Sequence, residues 1–405
     1  MSTPAPWATP ADAGAPPPVP WWQGPPPPGP SRPRPRRSHL ALGAAALALA
    51  LAGGVTAVVQ QDPATGAVSA DAEVAAALPG LQEFVEAERG LPFLREVEVE
   101  VLDDDAFVEA LFSGPAPTKA EEAAYEGDTA TLLALGLLGD EDELDEALGE
   151  DGADAVLGFY DTETEQLVVR GTALTPLARM TLVHELTHAV QDQHFELFRP
   201  ELETAEDERG LAFAALVEGD ATRVEEAWYD AQPDEVRDGV DDELDELYGD
   251  YESTSFVADV LTGFPYVVGA EYARALVDDG GQARLDAAFA APPTTTEEVF
   301  APGSPAPVAV PLPAAPAGAE VVDQGVLGEL GLGLLLDTDP FGEGPNTAWR
   351  GDGYVTWEAD DETCTALSVV TASAQERDDL LDELRELYDD VAPAGADGLS
   401  LTSCA

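Results

Sequence analysis

Positive charge is what this sequence has least of. Lysine and arginine together number 18 against 80 aspartates and glutamates, and Lys119 is the only lysine. A surface of that sign repels phosphate backbones and anionic headgroups, which excludes nucleic acid and an electrostatically held membrane surface as partners. Histidine is scarce too, with four in 405 residues, and the only methionines are Met1 and Met180. Two cysteines, Cys364 and Cys404, stand near the C-terminus, too few for a cysteine metal cluster. In an oxidising compartment such a pair is expected to form a disulfide. A wholly disordered chain is excluded in turn, because 45% of the residues are hydrophobic, enough for a sizeable core.

Against that scarcity, three of the four histidines fall between Met180 and Phe195, MTLVHELTHAVQDQHF. His184, Glu185 and His188 make the pattern HExxH, which chance would place in roughly four chains per thousand of this composition. On a helix His184 and His188 lie about 40° apart and one turn along, so both imidazoles reach one ion. Glu185 flanks them, placed to take a proton from a water that the metal activates. Leu182, Val183, Leu186, Ala189 and Val190 gather on the opposite face, so the helix is expected to have a buried back and a reactive front. It starts near Thr175-Pro176, with proline at the first helical position.

A third ligand is sought in the next helix, expected from about Glu206 to Tyr229. Leu211, Ala215, Glu218 and Thr222 share one face there. A lone carboxylate in such a small, apolar stripe is costly to bury without a cation, which makes Glu218 the third ligand. Two histidines and one carboxylate leave a fourth position open, the arrangement of a catalytic zinc. The rival is His194, at the metzincin spacing. That motif, however, needs glycine where Gln191 stands and a methionine turn downstream, and His194 points about 100° away in an unbroken helix. Capping or hydrogen bonding near the helix end is expected of it instead. Asp220 faces the far side of a regular helix and reaches the site only if Gly219 loosens it. Asp192, one turn after His188, is the better candidate to orient an imidazole. Glu225 and Glu226 read as a solvated face. For the oxyanion, Tyr160, Tyr266, Tyr354 and Arg350 are the candidate donors.

Along the chain, residues 1–38 are proline-dominated and expected to be a disordered cytoplasmic tail. Residues 39–60 hold the charge-free run Leu40–Val59, long enough to span a bilayer. With Arg32, Arg34, Arg36 and Arg37 before it and no basic residue close behind, it reads as a signal-anchor with its N-terminus in the cytoplasm. Cleavage after Ala67-Val68-Ser69-Ala70 would make the protein secreted instead. A linker at 61–74 leads to an extracytoplasmic domain at 75–405. In that domain LPGLQEFVEAERG has helical spacing, REVEVEVL alternates as a strand, and 119–150 reads as an acidic helix. AVLGFYD and QLVVRG form a hairpin that feeds the HExxH helix, with an edge on which a peptide can pair as an added strand. GFPYVVGAEYARALVDDGG reads as a turn and a helix, PPTTTEEVFAPG as a loop, and Pro302–Pro316 as an extended crossing or a surface loop. ELGLGLLL reads as a buried element, YVTWEA as a strand, and Glu376–Asp389 as an amphipathic helix.

HELTH followed thirty residues later by Glu218 resembles the gluzincin pattern of zinc metallopeptidases. More narrowly, ERGLPFLREVEVEV, LGFYDTETEQLVV, HELTHAVQDQHF, ALVEGDAT, GFPYVVGAEY and PPTTTEEV resemble a little-characterised group of exported bacterial zinc peptidases, over roughly residues 80–300. The resemblance implies an α+β fold, mainly helical and zincin-like, with a small sheet beside the HExxH helix. It implies His184, His188 and Glu218 as zinc ligands and Glu185 as catalytic acid/base, the same four residues as the spacing. Thr222, not an acid, stands one turn after Glu218, a departure from the best-known gluzincins. The expected activity is zinc-dependent hydrolysis of a peptide or protein substrate outside the membrane. The alternative is a surface scaffold that binds zinc without turnover.

Overall fold

A computed structural model describes residues 70–112, 117–139, 156–202, 205, 207–248, 255–336, 338, 341, 348–359 and 362–405. The proline-rich tail, the apolar run at 40–59, most of the linker and the acidic stretch at 140–150 lie outside these residues. Among the described residues no helix is long and apolar enough to cross a membrane.

Alanines, the strongest helix formers, carry α1 (Ala70–Arg89), which begins earlier than expected and runs through Pro79. The alternating residues of β1 (Glu98–Leu102) pair in parallel with β3 (Gln166–Arg170). Between them in sequence come α2 (Asp104–Leu111), α3 (Lys119–Ala134) and β2 (Gly158–Asp161). β2 and β3 form the expected antiparallel hairpin. Its turn is closed by Asp161 Oδ1, which accepts from Glu163 N and Thr164 N. The sheet order is β1-β3-β2, which puts β2 on an edge.

The HExxH helix, α4 (Pro176–Phe195), is capped by Thr175, whose hydroxyl accepts from Ala178 N, and Pro176 occupies its first position. Leu182, Val183, Leu186, Ala189 and Val190 are fully buried, as their spacing requires. The front is buried too: His184, Glu185 and His188 retain 5, 1 and 4% exposure. It is covered by the next long elements, α5 (Arg209–Ala231) and, beyond α6 (Asp234–Tyr248), α7 (Phe256–Gly280). The GFPY segment is no turn; α7 runs through Pro265 as one helix. Short helices α8 (Gln282–Ala290) and α9 (Thr296–Phe300) follow, the second inside the stretch read as a loop, where Thr295 caps it.

The crossing of α5 and α7 is set by two glycines. A β-carbon on Gly219 would lie 2.0 Å from the carbonyl carbon of Gly269, and one on Gly269 would lie 2.2 Å from Ala215 O. Backbone therefore touches backbone, and α5 continues through Gly219 as a regular helix rather than loosening there.

After the extended proline-rich crossing comes a second, wholly antiparallel sheet. Its order is β4-β5-β6-β8-β7, with β4 at Glu320–Gly325, β5 at Trp349–Ala359, β6 at Glu362–Thr371, β7 at Asp390–Ala394 and β8 at Gly398–Cys404. The buried α10 (Gly328–Leu335) is the ELGLGLLL element, and α11 (Ala374–Leu387) is the amphipathic one. Cys364 on β6 stands opposite Cys404 on β8, and a disulfide joins them. Together the elements make an α+β fold, mostly helical, with two small sheets. Replacing Gly269 by alanine would wedge α5 and α7 apart, and chemical denaturation should show a loss of about 3 kcal/mol. Gly80→Ala, in the interior of α1 where a β-carbon meets nothing within 4 Å, should instead gain up to about 1 kcal/mol.

Candidate metal centre

Successive turns of α4 carry His184 and His188, whose rings stand 4.7 Å apart at 77°. Across from them on α5, Glu218 Oε2 lies 3.1 Å from His184 Nε2 and 3.2 Å from His188 Nε2. One ligand atom from each of the three falls within 4.8 Å of the others, the one such group found among the described residues. Donor atoms around a tetrahedral ion with bonds of 2.0–2.1 Å stand roughly 3.3 Å apart, so the spacing suits a small divalent cation.

The unsatisfied atoms point the same way. Among the described residues, His188 Nε2, both oxygens of Glu185 and the Tyr266 hydroxyl have no hydrogen-bond partner, although all are buried. Tyr266 comes from α7, one turn before the Gly269 crossing. It stacks on His184 with ring centroids 6.1 Å apart. Burial, then Glu218 and Glu185, hold its phenol well above the ordinary range, so it stays protonated and able to donate.

Three carboxylates, Glu185, Glu218 and Glu225, face two imidazoles here. Burial pushes the Glu185 carboxyl up to about 7, with the histidines pulling the other way. Burial would raise Glu218 as well, but the facing imidazoles outweigh it and hold that group down at about 2. On both histidines burial disfavours charge, yet Glu218, helped by Glu225 at His184, raises them. Without an ion, protons shared among these groups offset the negative charge; a cation among the same atoms would take their place.

Behind the candidate ligands, each imidazole has its own partner. His184 Nδ1 lies 2.8 Å from Glu225 Oε2, and His188 Nδ1 lies 3.0 Å from Gln191 Oε1. Glu225 is thus not on a solvated face. Seven residues after Glu218 it falls about 20° short of two full turns, on the same stripe as Leu211, Ala215 and Glu218, and that periodicity could have found it. Asp220 does reach the site's surroundings, without any loosening of the helix, by accepting from Gln191 Nε2 at 3.0 Å.

Several expected candidates are committed elsewhere. Asp192 orients no imidazole: its oxygens accept from Leu197 N at 3.0 Å and from the Tyr160 hydroxyl at 3.1 Å, closing the C-terminal turn of α4. That bond also occupies Tyr160. His194 hydrogen-bonds to Pro92 O at 2.8 Å, outside the ligand group. The Tyr354 hydroxyl donates to Asp323 in the C-terminal sheet, and Arg350 donates to Pro305 O and Ala306 O on the proline-rich crossing. Of the four oxyanion candidates, the structure brings only Tyr266 to the ligands. Their sequence positions could not reveal this, because a tyrosine's neighbours across helices are set by packing.

Elemental analysis after dialysis should find that Glu218→Ala loses bound zinc while His194→Ala keeps it in full. Glu225→Ala should bind it roughly 10- to 100-fold more weakly. Compared with known proteins, the chain matches no family model, no curated protein and no solved structure.

Proposed function

We propose that this protein is a zinc-dependent peptidase of the gluzincin type, with a zincin-like catalytic domain that works outside the membrane. The observation that carries the reading is Glu185. A zinc that only braced a fold would need His184, His188 and Glu218 but not a fourth, buried carboxylate with both oxygens unpartnered beside them. Two histidines and a glutamate favour zinc among the small divalent ions and leave a position free for reaction. The apolar run behind four arginines, together with the Cys364–Cys404 disulfide, supports an extracytoplasmic site.

Zinc, when bound, supplies a Lewis acid that activates water and polarises the scissile carbonyl. Glu185 takes the proton from the attacking water and hands it to the leaving nitrogen. Tyr266 donates from its hydroxyl to the oxygen on which charge develops. An extended substrate lies along the edge of β2. Leu157 O accepts from Arg170 N, so in an antiparallel ladder the backbone groups of Gly158 and Tyr160 face away from β3, the side on which a peptide would pair once it reaches this buried strand. Gly158 lets that edge approach the base: a β-carbon there would lie 2.8 Å from Thr181 Cγ2 and 3.3 Å from Glu185 Cγ.

The test is cleavage of casein or a peptide library by the zinc-loaded protein. Glu185→Ala should keep its zinc and lose cleavage, and Tyr266→Phe should lower kcat by roughly 100-fold with KM little changed. Equal activity in wild type and Glu185→Ala would sink the catalytic reading. Zinc bound with no cleavage by either would favour the scaffold.

A further inference from the structure

The two imidazoles of the triad are held by chemically unlike partners. His184 faces the carboxylate of Glu225, whereas His188 faces the neutral amide of Gln191. Gln191 is fully buried, and every polar atom of its side chain is engaged. Its Nε2 lies 3.1 Å from Val217 O and 3.0 Å from Asp220 Oδ2. Both of those groups can only accept from it, so the nitrogen must be on their side and the oxygen must face His188. An amide oxygen can only accept, so His188 carries a proton on Nδ1, which leaves Nε2, 3.2 Å from Glu218 Oε2, as the nitrogen available to a metal. The surroundings therefore keep Nδ1 protonated, the arrangement that a ligand binding through Nε2 needs.

Asp220 in turn cannot rotate away. Its side chain has no exposure; Arg89 Nε donates to Oδ2 at 2.6 Å and Arg223 Nη2 to Oδ1 at 3.1 Å. Arg89, itself fully buried, is braced by Gln282 and Asp286 and lies over the rings of Phe195 and Phe289. The charge of Asp220 is thus offset by two guanidiniums, and only an uncharged amide is passed on to His188. A carboxylate at position 191 would add a further negative charge to Glu185, Glu218 and Glu225 and would face Asp220 directly.

We propose that Gln191 is the positioning residue of His188, and that Asp220, clamped by Arg89 and Arg223, fixes its amide so that His188 presents Nε2 to the metal. This rests on the zinc reading of the same triad.

The test is zinc affinity of the full-length protein, read by competition with a chromophoric chelator, together with the visible absorption of the cobalt-substituted form, which reports ligand geometry. Gln191→Leu should bind zinc 10- to 100-fold more weakly and alter the cobalt spectrum. Gln191→Glu keeps the acceptor but sets its carboxylate against that of Asp220, so it should also bind more weakly. Adding Asp220→Asn to it should restore affinity at least about tenfold beyond the product of the two single effects, a coupling that a mere packing role would not produce. Gln191→Leu binding within twofold of wild type with an unchanged cobalt spectrum overturns the proposal. So do single effects that simply multiply in the double variant, and that cycle decides the matter where Gln191→Leu does not fold. Wild-type protein that takes up no zinc overturns the metal reading itself, and is told apart because the loss then precedes any substitution.

Discussion

Glu218 is a carboxylate with 2% of its surface exposed, facing two imidazoles from a different helix. Burying such a group alone costs several kcal/mol, so the packing around it has to supply compensation from fixed directions. That requirement explains much of the helical body. α4 must present successive turns to α5, α5 must stay regular through Gly219, and α7 must come close enough for Tyr266 to cover the pair. Gly219 and Gly269 meet that demand by removing the side chains that would separate the helices.

Charge is distributed in a way that the overall acidity conceals. With 18 basic residues in the chain, a fully buried arginine is a considerable commitment, and Arg89 is spent on Asp220, two residues from a metal-ligand candidate. Arg223 joins it. Neither guanidinium pairs with Glu218, Glu225 or Glu185, where a nearby positive charge would compete with a metal ion. The cations support the centre from behind and leave its front negative.

The C-terminal sheet follows a separate logic. Its hydrophobic cluster of Trp349, Leu367, Val369, Leu384, Leu399 and Leu401 is distinct from the clusters around α4 and α5. Its polar side chains bond within the sheet, to the proline-rich crossing and to the neighbouring helices, as Tyr354, Arg350 and the pairing of Asp323 with Thr131 of α3 show. The disulfide ties β6 to β8, two strands already paired, and closes a forty-residue separation in sequence.

Local periodicity made a good part of this readable from the chain. The 3.6-residue repeat placed His184, His188 and Glu185 on α4, the same repeat aligned Glu218 with Leu211 and Ala215, and strict alternation marked β1 and the β2–β3 hairpin. These are short-range properties, in which each residue's direction follows from its neighbours in sequence. What could not be read was which side chains meet across elements. Asp192 shares a face with His188 yet turns to the helix end, where Leu197 N needs an acceptor. Gln191 and Glu225 instead hold the imidazoles, because α4 and α5 cross where they do. Pro265 suggested a break, but α7 runs straight through it, packed against α5 along the glycine contact. The sequence by itself determined the candidate ligand types, their spacing and the helices that bear them. Only the tertiary structure decided their supporting partners, since a hydrogen bond between residues 29 or 41 positions apart depends on a crossing that no local pattern encodes.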